Sequence, residues 1–170
     1  MPLTEAALQR ARELDGPLAR PLADYLSEHI DEEQHHDETL LDDLEAIGLE
    51  RSSVLERIPS REVAELVGSQ YYWIHHFHPV SFLGYVAVME GYPPTSELIE
   101  TLVARTGFPR TAFKAYLEHA ELDPGHRDHL DRTLDALPLD DRHEQALGVS
   151  AIATATMAAR SLERIAGQGP

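Results

Sequence analysis

At 170 residues the chain is long enough for one domain, residues 1–170, with a full hydrophobic core. Its formal net charge of −16 argues against DNA, RNA or an anionic membrane surface as a main partner. It has 10 histidines and no cysteine. That excludes thiolate nucleophiles, disulfides, iron–sulfur clusters and Cys-held zinc, and leaves nitrogen and oxygen to hold any metal. No run of about 18 apolar residues reads as a membrane span. The opening Met1-Pro2-Leu3-Thr4-Glu5 has no basic-then-apolar leader, so the cytoplasm is the expected compartment.

The chain reads as helical throughout, because Ala, Leu, Glu and Arg recur at helical spacing and no alternating β-branched run is present. Thr4 is the expected cap of a first short helix that ends at Asp15-Gly16-Pro17. Pro21 fits the first turn of a second helix, running to Ile47 with Gly48 as its stop. Its apolar stripe holds from Leu22 to Ile30 and resumes at Leu40; between them the expected apolar positions carry Glu33, His36 and Asp37. A core stripe that turns polar in mid-helix is the informative feature of this segment.

Residues 49–59 read as a connection. Ser60 caps a third helix, which Pro79 should kink or break after the aromatic run Tyr71-Tyr72-Trp73-Ile74-His75-His76-Phe77-His78. Val80 to Met89 is apolar nearly all round and therefore buried, with Glu90 the one charge at its end. Thr95 or Ser96 caps a helix ending at Gly107, Pro109 opens another, and a last helix runs from Asp140 to Ile165. The tail 167–170 is expected to fray. The whole is an all-α bundle of about six or seven helices.

Two stretches share one pattern: His29, Glu33, His36 and His119, Asp123, His126. At about 3.6 residues per turn, positions i, i+4 and i+7 lie on one helical face. Chance placement gives about 0.1 such matches in a chain of this composition, so two point to a shared role. Each contains a carboxylate-x-x-His, the unit that di-iron and di-manganese carboxylate proteins place on core helices. An ionised Glu90 on an apolar helix costs several kcal/mol unless it is paired or metal-bound. The candidate ligands are His29, Glu33, His36, Glu90, His119, Asp123 and His126. Mixed imidazole and carboxylate suits non-haem iron or manganese, and zinc less specifically.

Other histidines read differently. Glu32-x-x-His35 lies about 100° round the helix from Glu33 and His36 and reads as surface. Asp140-x-x-His143 reads as a helix cap. His75, His76 and His78 read as hydrogen-bonded residues among aromatics. His129 stands either behind the ligands or in solvent. Tyr71–Phe77 and Tyr85 either wall a pocket or pack in the core. Pro124 and Gly125 cost a regular helix about 3 and about 1 kcal/mol. The helix is therefore expected to kink there, or to restart with Asp123 as cap, and to depend on metal for its order.

In these residues the chain resembles the haem-oxygenase-like di-iron oxidases and oxygenases, often labelled iron-containing redox enzymes. The resemblance rests on Glu33-x-x-His36, Glu90 and His119-x-x-x-Asp123-x-x-His126. It also rests on the wording around His29-Ile30-Asp31-Glu32-Glu33, Tyr71-Tyr72-Trp73, Gly84-Tyr85 and Glu90-Gly91-Tyr92-Pro93-Pro94. It implies a haem-oxygenase-like helical fold that binds two irons without haem, and O2 as co-substrate. The implied substrate is a small organic molecule, amino-acid-, amine- or fatty-acid-like, in a natural-product pathway. It carries the ligand role to Glu33, His36, Glu90, His119, Asp123 and His126. Many members supply one more carboxylate from an earlier helix or from the turn before the early His. Here that turn holds His29, with Glu5 and Glu13 as N-terminal candidates, and an imidazole cannot bridge two metals as a carboxylate does.

Expected partners are a small-molecule substrate and, as an option, a second copy in a homodimer, with no nucleic acid and no membrane. A haem-binding oxygenase of the same fold and a non-catalytic helical scaffold or iron-binding protein are the alternatives. The first would need one proximal His and a glycine-rich helix, which the acidic paired clusters fit poorly.

Overall fold

The computed structural model describes residues 1–167, and residues 168–170 of the expected fraying tail lie outside them. Among the described residues there are nine α-helices and no strand. They are α1 (Pro2–Arg12), α2 (Ala19–Glu32), α3 (His36–Ala46), α4 (Arg51–Leu55), α5 (Arg61–His76), α6 (Phe82–Met89), α7 (Ser96–Thr106), α8 (Lys114–Ala136) and α9 (Asp141–Gly167). Short 3-10 turns cover Pro79–Ser81 and Arg110–Phe113. The core joins Ala7 and Ala11 of α1, Leu22 and Leu26 of α2, Ile74 of α5, Leu83 and Val86 of α6, and Leu130 of α8.

The local signals for several boundaries hold. Ser60 accepts the Val63 N–H at 3.3 Å, and Thr95 accepts the Leu98 N–H at 3.1 Å. Pro79 ends the helical run after His76 and opens the turn into α6. Gly84 lets α6 lie directly on α9: a Cβ there would stand 2.4 Å from the Leu147 carbonyl oxygen. Beside that crossing, a buried polar set joins α5 to α9. Ser150 Oγ donates to Gln70 Oε1 and Gln70 Nε2 donates to Thr154 Oγ1, each at 3.2 Å. Each of these buried side chains thus has a partner, which keeps their desolvation from destabilising the crossing.

Four expectations are corrected. Thr4 is not a cap: α1 begins at Pro2 and Thr4 is buried inside it. The second helix does not run from Pro21 to Ile47; it breaks at Glu33-Gln34-His35, where His35 takes a left-handed φ of 72°. Residues 31–37 offer no apolar side chain to hold a helix on the core, and packing rather than propensity supplies most helical stability. Of the two alternatives at Pro124, the restart capped by Asp123 is overturned: α8 is one helix from Lys114 to Ala136 with Pro124 inside it. Finally, the connection 49–59 contains α4, whose Arg51 reaches Glu38, Asp42 and Glu45. The extra break and α4 raise the helix number above six or seven.

One buried contact ties α3 to α8. Asp43 of α3, 4% exposed, accepts the Ala115 N–H at 2.8 Å and so caps α8 from another helix. Nothing in the local sequence around Asp43 marks it for this task.

Candidate metal centre

The ends of α2 and α6, the start of α3 and the middle of α8 bring all seven candidate side chains together. His29, Asp123 and His126 are buried, and Glu33, His36, Glu90 and His119 are half-buried. His36 Nδ1 lies 2.7 Å from Glu33 Oε2, and His119 Nδ1 lies 2.8 Å from Asp123 Oδ1. The His36 and His119 rings meet edge-on with centroids 4.9 Å apart. On the other side, His29 Nε2 lies 3.2 Å from Glu90 Oε1, and His126 Nδ1 lies 3.3 Å from Glu33 Oε1 and 3.8 Å from Glu90 Oε2.

Two donor groups result. Glu33, His36 and His119 offer ligand atoms within 4.8 Å of one another, and so do His29, Glu33 and Glu90. Glu33 belongs to both. Its position at the helix break lets Oε2 face His36 while Oε1 faces His126. Asp123 Oδ1 likewise stands between His119, at 2.8 Å, and His126, at 3.9 Å.

The chemistry of these donors fits a cation. Glu33 Oε1, Glu90 Oε2 and His126 Nδ1 are buried without a hydrogen-bond partner, and they face one another. Buried polar atoms left unpaired cost free energy, and an ion among them would satisfy all three. Carboxylate charge dominates the cluster. Burial by itself lowers the His29 pKa, but the contact with Glu90 and the Glu90, Glu33 and Glu32 charges outweigh it and raise it. Burial first, and Glu90 second, raises the Tyr85 hydroxyl pKa.

A cleft of about 530 Å3 opens onto the cluster. Phe82, Tyr85, Val86, Met89, Leu40 and Tyr116 form its apolar wall. Tyr85 thus lines the cleft, whereas the aromatic run Tyr71–Phe77 does not enter it. Phe82 and Tyr116 were not singled out as wall residues in the sequence, because helical spacing alone gives both as packing positions. Neither N-terminal carboxylate enters the cleft. Glu5 is exposed, and Glu13 pairs with Arg10 at 3.1 Å on the surface. His29, by contrast, lines the cleft and meets Glu90.

Of the remaining histidines, His75 and His76 depart from the reading as hydrogen-bonded residues: both are exposed, resting against the Tyr71 and Tyr72 rings. Asp140 Oδ1 accepts the N–H groups of Arg142 and His143, each at 3.0 Å, as a cap. His35 is exposed. His78 Nδ1 accepts the Val80 N–H at 3.1 Å, and burial, then the His143 and Arg10 charges, lowers its pKa to about 4.

Fold and donor set together define an all-α protein with a histidine–carboxylate cluster facing an apolar cleft. The architecture is shared with a crystal structure of a domain of unknown function with a haem oxygenase-like fold from Shewanella denitrificans OS217. The two chains are 20% identical with a TM-score of 0.82, over 98% of this chain and 72% of that one. The family described as iron-containing redox enzyme matches residues 4–161, so the chain belongs to that family. No curated protein matches it.

Proposed function

We propose that the chain is a non-haem di-iron oxidase or oxygenase that uses O2 to oxidise a small, largely apolar organic molecule. The carrying observation is the shared carboxylate: the two oxygens of Glu33 serve two donor groups, His36–His119 and His29–Glu90–His126. Asp123 between His119 and His126 adds a second shared anion. The ligand role of the seven residues is part of this proposal. Membership of an iron-containing redox family supports iron; manganese suits the same nitrogen and oxygen donors.

Bound iron would supply one-electron redox chemistry and reactivity towards O2. The chain's own residues do the rest. Glu33, Glu90 and Asp123 would offset the charge of bound ions and favour their oxidised state, while His29, His36, His119 and His126 would add neutral nitrogen donors. Phe82, Val86 and Met89 present an apolar wall that would take up an apolar substrate body. Among the described residues no Lys or Arg lines the cleft, so an acidic group on the substrate has no cationic side chain there to bind.

The test is anaerobic Fe(II) loading followed by metal analysis, an absorption spectrum and O2 uptake. Two irons per chain and no Soret band are expected. His119→Ala and Glu90→Ala should each abolish iron-dependent O2 uptake; wild-type uptake in both refutes the assignment. A Soret band on reconstitution would favour the haem-binding oxygenase, and failure to retain iron the scaffold.

A further inference from the structure

The candidate imidazoles are not all held alike. His36 Nδ1 pairs with Glu33 at 2.7 Å, and His119 Nδ1 pairs with Asp123 at 2.8 Å. A carboxylate thus sets the orientation of each of these rings. His29 Nε2 faces Glu90 Oε1 at 3.2 Å, but among the described residues no hydrogen bond holds its other nitrogen. A metal-binding imidazole ordinarily takes its orientation from a hydrogen bond on that second nitrogen. His29 needs another support.

Tyr25 supplies one. It lies one turn earlier on α2, and side chains at i and i+4 of a helix are neighbours. Its ring is nearly parallel to the imidazole, at 11°, with centroids 5.7 Å apart, an offset-stacked arrangement that aromatic rings favour. Both side chains are buried, each 4% exposed. Tyr25 is itself held: it belongs to the core with Leu22 and Leu26, and the half-buried His129 ring meets it edge-on at 5.2 Å. Turning the His29 imidazole out of its plane would drive it into the Tyr25 ring, which close packing keeps in place.

We infer that Tyr25 is a positioning residue whose ring holds the His29 imidazole with Nε2 towards Glu90. The inference rests on the proposed metal centre. His29 belongs to the donor group with Glu33 and Glu90, and not to the group of Glu33, His36 and His119. Tyr25 therefore acts on one ion of the pair and leaves the other alone. Stacking uses the ring, so the Tyr25 hydroxyl takes no part.

The experiment titrates the metal-free full chain with Co(II), a probe that accepts the same nitrogen and oxygen donors, and follows each binding step by visible absorption. The wild type should bind two ions. Y25L should bind one of them about tenfold more weakly and the other unchanged. Y25F, which keeps the ring, should follow the wild type at both. In an H29A background Y25L should have no further effect on Co(II) binding, because its partner is gone. A urea midpoint checks that each variant is folded, and Y25M takes the place of Y25L if the leucine variant is not. Wild-type binding by Y25L, equal weakening of both ions, weakening in Y25F, or a further loss in the H29A background each overturns the inference. If the wild type binds two ions and Y25L matches it, only this inference falls. If the wild type binds fewer than two, the proposed centre falls with it.

Discussion

His29-Glu33-His36 and His119-Asp123-His126 carry the same spacing of donors on opposite kinds of backbone. The first straddles a break between α2 and α3, with His35 left-handed, and the second lies on one continuous helix through Pro124. On α8 the one-face argument works as helical geometry dictates, and His119, Asp123 and His126 project together. On α2 and α3 it does not apply, and the break achieves something a straight helix cannot. It leaves Glu33 as a hinge whose two oxygens address two donor groups. Equal spacing in sequence therefore does not mean equal roles: the rigid side presents donors, and the broken side shares one.

The largest expected effect tests that difference directly. If Glu33 is shared, Glu33→Ala should remove both ions, whereas His36→Ala, which takes a donor from one group, should leave about one. Metal analysis after anaerobic loading and desalting distinguishes them, and two ions retained in Glu33→Ala would end the shared-carboxylate reading. On the continuous side, Pro124→Ala should restore a helical backbone donor and stabilise the protein by about 1–3 kcal/mol. A fall in melting temperature would instead mean that the proline holds Asp123 in place.

Asp43 links the two sides, and its loss should uncouple them. Asp43→Ala removes the buried cap on Ala115 and should destabilise the fold by about 1–2 kcal/mol, read as a lower urea midpoint. An unchanged midpoint would show that α8 needs no anchor from α3. The smallest effect belongs to the break itself. A non-glycine residue in the left-handed region costs about 1 kcal/mol, so His35→Gly should raise stability by that order without changing the iron count. If it lowers the count, the His35 side chain has a task at the centre beyond tolerating the turn.

Much of the site was legible because its signals are local or chemical. Glu90 is conspicuous as a charge ending an apolar helix, and it caps α6 in the structure. Ser60, Thr95 and Pro79 marked their boundaries through capping and a missing backbone donor, effects that need only neighbouring residues. The polar gap between Ile30 and Leu40 was visible too, but it carried two meanings at once, a cluster of metal-type donors and a helix without a core to rest on. Periodicity reports only the first. At Pro124 the restart alternative failed, because intrinsic helix cost is a local quantity, while α8 is held at its start by Asp43 and further on by Leu130 in the core.

The sequence by itself determined an all-α chain, restricted any metal to nitrogen and oxygen donors, and singled out the histidines and carboxylates proposed to supply them. Those follow from composition and helical period, which the chain carries wherever it folds. Only the tertiary structure decided that Glu33 faces two groups, that His29 rather than Glu5 or Glu13 meets Glu90, and that Glu28 and Glu32 meet His129. Each of these depends on which helices lie side by side. That is settled by burial of side chains such as Leu22, Leu83 and Leu130 and by the close approach at Gly84, between residues far apart in the chain.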